Sequence, residues 1–156
     1  MNYAIIAAGE GSRLAQEGVK KPKPLVELCG EPMIGRLINI FVRCNAESVS
    51  VIVNQEMTEV QDYLQELKSR LSVPLNIVVK STPSSMHSFY ELTRVMKPGK
   101  FCLTTVDTIF KEPDFARYIA AFEADEQYDG MMAVTPYIED EKPLYVDVND
   151  AMEINT

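Results

Sequence analysis

Apolar residues follow two rhythms along this chain. Short continuous runs alternate with longer segments carrying an apolar position every three or four residues. The short runs, bounded by turn residues, predict buried strands over 3–7, 48–53, 75–79, 101–105 and 131–135. The longer segments predict helices over 33–44, 57–71, 85–96 and 113–126. In the second helix Val60, Tyr63, Leu64, Leu67 and Leu71 recur at helical spacing. Pro32 and Pro113 suit helix starts, where a missing N–H costs nothing, and Pro98-Gly99 closes the third helix. Strands separated by single helices imply right-handed crossovers and a mainly parallel sheet, an α/β protein. No repeat, low-complexity tract or linker interrupts residues 1–156, which read as a single domain. Ligands of such sheets bind at the carboxyl ends of the strands. Loops 9–13, 81–87 and 106–110 follow three of the predicted strands and should meet at one edge.

Composition narrows the class. Hydrophobic content of 46% and charged content of 24% are those of a soluble globular protein. No apolar run approaches the ~18 residues of a membrane span. No positively charged region precedes an apolar core, so the N-terminus does not read as a secretory signal. Cys29, Cys44 and Cys102 are odd in number, far apart and outside metal-ligand spacing, which predicts reduced, mostly buried thiols in a cytoplasmic protein. The formal net charge of −8 argues against nucleic acid as a partner. Acidic residues concentrate in 56–66, 112–129 and 139–150, and Lys20, Lys21 and Lys23 form a basic cluster against that background. A small anionic ligand would suit this cluster; a solvated turn with incidental lysines is the alternative reading.

The candidate chemistry begins where the first strand empties into Ala7-Ala8-Gly9-Glu10-Gly11-Ser12-Arg13-Leu14. A glycine-rich loop after a strand offers a cradle of backbone N–H groups for phosphate. Arg13 adds a planar fork of donors, and Lys23, held between Pro22 and Pro24, a point charge on a long arm. No Gly-Lys-Ser/Thr follows at Walker spacing, and Leu14 stands where a dinucleotide fingerprint needs its third glycine. A tight turn whose glycines merely permit positive φ is the plainer alternative. Farther along, Leu103-Thr104-Thr105-Val106-Asp107 ends a strand in a carboxylate that could hold Mg²⁺ beside phosphates or cap a turn. Ser81-Thr82-Pro83-Ser84-Ser85-Met86-His87-Ser88 leads into the third helix, with Ser84 or Ser85 as its cap. His87, the one histidine, is either a ligand contact or a surface residue.

Three segments in order carry a resemblance: residues 7–14 quoted above, then Lys21-Pro22-Lys23-Pro24-Leu25-Val26, then Gly30-Glu31-Pro32-Met33-Ile34. Together they resemble the N-terminal signature of the sugar-1-phosphate nucleotidyltransferases (NDP-sugar pyrophosphorylases) and the related bacterial choline-phosphate cytidylyltransferases. The likeness is strong over residues 3–41 and weaker to about residue 136. It implies a three-layer α/β/α Rossmann-like fold of the glycosyltransferase-A-like kind. It implies transfer of a nucleoside monophosphate from a nucleoside triphosphate to a sugar 1-phosphate or related phosphomonoester, with release of pyrophosphate. By resemblance, Ala7, Ala8, Gly9, Glu10, Gly11 and Ser12 hold the nucleotide, with Ser85, His87 and Ser88 at the nucleoside. Arg13 would stabilise the leaving pyrophosphate, Lys23 would bridge the α-phosphate and the attacking oxygen, and Asp107 would hold Mg²⁺. Neither nucleic acid nor a membrane is implied, and self-association into a homo-oligomer is left open.

The chain also departs from that pattern. Val106 replaces the glycine that usually precedes the metal-binding aspartate, and the 81–88 segment lacks the family's glycines. That segment is closer to the choline-phosphate cytidylyltransferase form. In the family, the acceptor-binding strands and a second metal-binding aspartate lie beyond the fourth strand-and-helix unit. Residues 131–135 and 144–148 resemble the start of that acceptor half, although ordinary sheet and loop explains them as well. Asp147 and Asp150 do not stand at a matching place. A regulatory or incomplete nucleotide-binding module without turnover is the alternative reading. A molybdenum-cofactor-type nucleotidyltransferase, which shares the Gly-x-Gly loop, is a third.

Overall fold

Strand β1 (Asn2–Ile6) alternates its side chains between two buried faces, and the layers are built on that alternation. The structure, a computed structural model, describes residues 1–9, 18, 20–137 and 144–154. Two units divide the chain, Met1–Glu123 and Ala124–Thr156.

The first unit holds a four-stranded, wholly parallel sheet of β1, β4 (Ser48–Val53), β5 (Leu75–Val79) and β6 (Phe101–Thr105) in the order β5-β4-β1-β6. Registers run Asn2↔Ser48 and Asn2↔Phe101 on the two sides of β1, so all four strands end at the same edge. The chain builds outward from β1 through β4 to β5, then returns to place β6 on the opposite side. A switch point therefore lies between the carboxyl ends of β1 and β6, where open α/β sheets bind ligands.

Helices α1 (Met33–Arg43), α2 (Thr58–Arg70) and α4 (Glu112–Ala124) cover one face. Tyr3, Ile5 and Ala7 meet Ile34, Leu37, Ile38 and Phe41 there, together with Val60, Leu64, Phe115 and Ile119. Rings organise this core. Tyr3 stacks on Phe41 at 4.3 Å between centroids, and Phe41 lies 5.5 Å from Phe115. The other face is thinner: Ala4 and Ile52 pack against Leu92 of α3 (Ser85–Thr93). Its polar residues are satisfied internally, with Ser48 Oγ donating to Asn2 Oδ1 at 2.8 Å and Asn76 Nδ2 to Ser50 Oγ at 3.1 Å.

Local chemistry sets the element ends. Helix α1 stops in a Schellman motif: Asn45 takes φ +55°, Ala46 N–H donates to Phe41 O at 3.1 Å, and Asn45 N–H to Val42 O at 3.2 Å. Between β1 and α1 lies a small hairpin that the apolar pattern does not predict, β2 (Glu27–Leu28) and β3 (Glu31–Pro32). Its two-residue loop, Cys29-Gly30, has φ +54° and +83°, the signature of a type I′ turn. Cys29 is consequently exposed, contrary to the expectation of mostly buried thiols, while Cys44 and Cys102 are half-buried. All three are free, and burial pushes the Cys102 thiol up to about 11.

The strands expected over 48–53, 75–79 and 101–105 are observed at those bounds, and β1 lies one residue earlier than predicted. The third helix ends at Thr93 rather than residue 96, its last turn loosening before Pro98. No strand forms over 131–135. Met132 and Val134 there are more than half exposed, and no described segment pairs with them. Within the second unit Asn149 folds a turn, its Oδ1 accepting from Ala151 N at 3.0 Å and Glu153 N at 2.9 Å, beside a single bridge between Val148 and Ile154. Among the described residues, the expected 144–148 segment thus contributes only its last residue to a bridge. No helix among the described residues is long and apolar enough to cross a membrane.

One close contact gives a stability test. Helix α1 passes α2 at Gly35, where an added Cβ would overlap the Tyr63 hydroxyl and lie 3.2 Å from its Cζ. Alanine is the better helix former by ~1 kcal/mol, whereas overpacking costs ~1–3 kcal/mol. Gly35→Ala is expected to lower stability by about 1 kcal/mol in urea denaturation, and adding Tyr63→Phe should recover part of that loss.

Candidate active site

Three strand ends and one proline-bounded turn supply the candidate residues. Ala7 is buried at the exit of β1, its N–H donating to Ile52 O at 2.9 Å. Ala8 is half-buried and Gly9 exposed. A Cβ at Gly9 would meet nothing within 4 Å among the described residues. Glu10, Gly11, Ser12 and Arg13 lie outside the described residues.

Lys23 opens a 3-10 turn, Lys23–Leu25, held by Leu25 N–H donating to Pro22 O at 2.8 Å. Pro24 is buried, and Met33 N–H donates to Val26 O at 2.9 Å, fastening the turn to the start of α1. From this base Lys23 Nζ reaches Asp107 Oδ2 at 2.5 Å, joining positions 84 residues apart. The predicted lysine cluster is therefore not a bare positive patch, for Lys21 also pairs with Glu27 at 2.6 Å.

Asp107 follows β6 at the switch point. Val106 is buried, and its N–H donates to Ile6 O at 3.1 Å, extending the sheet one residue beyond the strand. The residues after Asp107 are anchored from another direction. Arg36 of α1 donates to Phe110 O at 3.1 Å, Phe110 stacks on Phe115 at 4.4 Å, and Arg43 grips Glu112 through two bonds of 2.6 and 2.9 Å. Sequence reading missed this brace; the basic residues of α1 facing a Phe-Lys-Glu segment were its only trace. Burial pushes the Asp107 carboxyl up, but hydrogen bonds from Lys23 and the Thr105 hydroxyl outweigh it and hold the carboxyl below its ordinary value.

The third strand end carries the predicted nucleoside contacts. Ser84 caps α3, and its Oγ lies 2.8 Å from His87 Nδ1. Ser85 and His87 are exposed. Ser88 differs from expectation: it is 2% exposed, and its hydroxyl pairs with that of Thr82 at 2.6 Å. A hydroxyl so enclosed holds the 81–84 loop rather than facing solvent.

Among the described residues no three His, Cys, Asp or Glu side chains gather as a metal site. Asp107 alone fits the modest demand of Mg²⁺ in phosphate chemistry, one or two carboxylates with phosphate oxygens and water completing the shell.

A family model described as the MobA-like NTP transferase domain matches residues 3–151. A 2-aminoethylphosphonate cytidylyltransferase of Lancefieldella rimae is 30% identical over 115 residues, which cover 71% of this chain and 44% of that protein. A mannose-1-phosphate guanyltransferase of Hypocrea jecorina is 30% identical over 83 residues, 53% of this chain and 23% of that protein. In fold, the inositol-1-phosphate CTP transferase from T. maritima superposes with TM-score 0.66 at 19% identity, over 80% of this chain and 49% of the other. The chain thus spans less than half the length of these relatives.

The Lys23–Asp107 pair makes a prediction of its own. Lys23→Met removes the strongest opposition to burial, so the Asp107 carboxyl should titrate at higher pH than in the unsubstituted chain, as measured by carbon-detected NMR. With both side chains partly exposed, the pair is worth at most ~1 kcal/mol. Because the folded value is depressed, that stability is present above the ordinary aspartate range and lost as pH falls through the folded value.

Proposed function

This chain belongs to the family of MobA-like NTP transferase domains, and on that premise we propose that it transfers a nucleoside monophosphate from a nucleoside triphosphate to a phosphorylated small molecule. One observation carries the reading: Lys23 and Asp107, the residues expected at the α-phosphate and the metal, meet at the switch-point edge beside the exit of β1.

In the proposed reaction an oxygen of the acceptor's phosphate attacks the α-phosphorus of the triphosphate. The bond from that phosphorus to the bridging oxygen breaks, and pyrophosphate leaves with the electron pair. The chain's task is to hold two anions in line and meet the charge that develops. Backbone N–H groups from Ala8 onward would receive the phosphates. Arg13 would face the leaving pyrophosphate. Lys23, exchanging Asp107 for the α-phosphate, would neutralise charge where bonds form and break. Ser85 and His87 would face the nucleoside, with Ser88 acting through Thr82. Mg²⁺, when bound at Asp107, would supply charge neutralisation and orient the phosphate oxygens. The acceptor belongs to the class of sugar 1-phosphates and related phosphomonoesters, and likeness to the 2-aminoethylphosphonate cytidylyltransferase favours CTP as donor. The free thiols support a cytoplasmic setting.

Among the described residues no three His, Cys, Asp or Glu side chains gather around Asp107, and a second reading is a nucleotide-binding module that does not turn over.

A thermal-shift panel of CTP, UTP, dTTP, GTP and ATP, each with and without Mg²⁺, tests the binding claim. Ligand at ~100 times its dissociation constant stabilises by ~2.7 kcal/mol, or ~5–10 °C for a domain of this size. CTP with Mg²⁺ should give the largest shift, and Asp107→Ala should abolish its Mg²⁺ dependence. No shift with any nucleotide would remove both readings. For catalysis, Lys23→Ala and Asp107→Ala are each expected to lower transfer at least ~100-fold, the scale of a lost electrostatic contact in phosphate chemistry. Release of labelled pyrophosphate measures it; transfer by the unsubstituted chain excludes the binding-only module.

A further inference from the structure

Asn54, the first residue after β4, sits at the same edge as the candidate site and was assigned no part in it. It is 8% exposed, and its polar atoms are committed in two directions. Its Oδ1 accepts from Glu56 N–H and Met57 N–H, both at 3.0 Å, forming a turn that leads into α2. Its Nδ2 donates across to Ala8 O at 3.3 Å, 46 residues away in sequence. The turn is itself braced. Gln61 Nε2 donates to Asn54 O at 3.1 Å and Gln55 O at 3.2 Å, and Gln55 N–H donates to Ser81 Oγ at 3.3 Å. One buried amide therefore ties the exit of β1 to the exit of β4, and through Gln55 to the loop after β5.

The consequence follows from peptide geometry. The carbonyl of Ala8 and the N–H of Gly9 belong to one planar trans unit and point in opposite directions. Holding the Ala8 carbonyl toward Asn54 turns the Gly9 N–H the other way. Gly9 is also where an added Cβ would meet none of the described residues within 4 Å. Donors aimed before a ligand arrives bind phosphate without the cost of ordering the loop.

We infer that Asn54 is a positioning residue that aims the first backbone donor of the nucleotide loop by fixing the Ala8 carbonyl. This rests on the nucleotide-binding reading above. Asn54→Asp and Asn54→Ser test it. Both keep an acceptor for the turn into α2, and both lose the donor to Ala8; serine does so without adding a charge. The NMR order parameter of the Gly9 amide in the free chain reports the tether, since it reads how firmly that peptide unit is oriented. Calorimetric titration with CTP and Mg²⁺, and with the other triphosphates in turn, reports the affinity.

The Gly9 order parameter is expected to fall in both variants and the nucleotide dissociation constant to rise at least ~10-fold. Where turnover is measured, KM for the triphosphate should rise more than kcat falls. An unchanged order parameter in both variants would overturn the tether. A lowered order parameter with unchanged nucleotide affinity would overturn the positioning role. No nucleotide binding by the unsubstituted chain would instead remove the reading beneath it, while the order parameter would still judge the tether on its own.

Discussion

Strand β1 is bonded on both sides, to β4 and to β6, and the rest of the first unit depends on that central position. Its odd residues bury against three helices and its even residues against one. A strand buried on both faces cannot slip by one residue without exchanging its two sets of side chains. Tyr3 makes the register more exacting still. It stacks on Phe41, and its hydroxyl donates to Cys44 O at 2.8 Å, with burial raising its pKa well above the ordinary tyrosine value. With β1 fixed, Ala7, Ala8 and Gly9 emerge at one invariable point. β6, paired at Ala4↔Leu103, delivers Asp107 next to them.

The candidate site places charge against this apolar frame. In a chain of net charge −8, Lys23 is drawn to Asp107, and the pairing keeps the carboxylate ionised despite its partial burial. The interaction is worth little in stability at this exposure, so its meaning is geometric: it brings the proline turn and the end of β6 together. Around it, contacts of other kinds carry the rigidity. Arg36 and Arg43 brace the segment after Asp107 from α1, Phe110 stacks into the aromatic core, and Asn54 holds Ala8. In the proposed mechanism the ion pair is the element that yields when phosphate arrives, while the braced surroundings remain in place.

The same arrangement explains the uneven covering of the sheet. The face carrying α3 holds serines and asparagines that bond to one another, so it contributes less apolar burial than the face carrying α1, α2 and α4. Strand β6 pairs only with β1 among the described strands, and Phe101 and Leu103 remain more than a third exposed on it.

The succession of buried strands and amphipathic helices was legible in the chain alone, because burial on one or two faces imposes a period that local sequence must obey. The parallel sheet followed from strands separated by single helices, and the shared strand edge from the sheet. Lys23 and Asp107 were legible through their residue types and motif context. Other features had no local signature. The Cys29-Gly30 hairpin depends on two successive positive φ values that the pattern of apolar residues does not encode. The expected strand over 131–135 has the right residues but forms no strand among the described residues, since a strand depends on a neighbour that supplies its hydrogen bonds. Ser88 is hidden and Cys29 exposed because each answers to neighbours distant in the chain. The Lys23–Asp107 pair, the Arg36 brace and the Asn54 tether join residues 84, 74 and 46 positions apart. The sequence by itself determined the four strands of the parallel sheet and the four helices that flank it, and it singled out the residues expected at the site. Only the tertiary structure decided which of those residues would touch, since a hydrogen bond is set by separation in space and not along the chain.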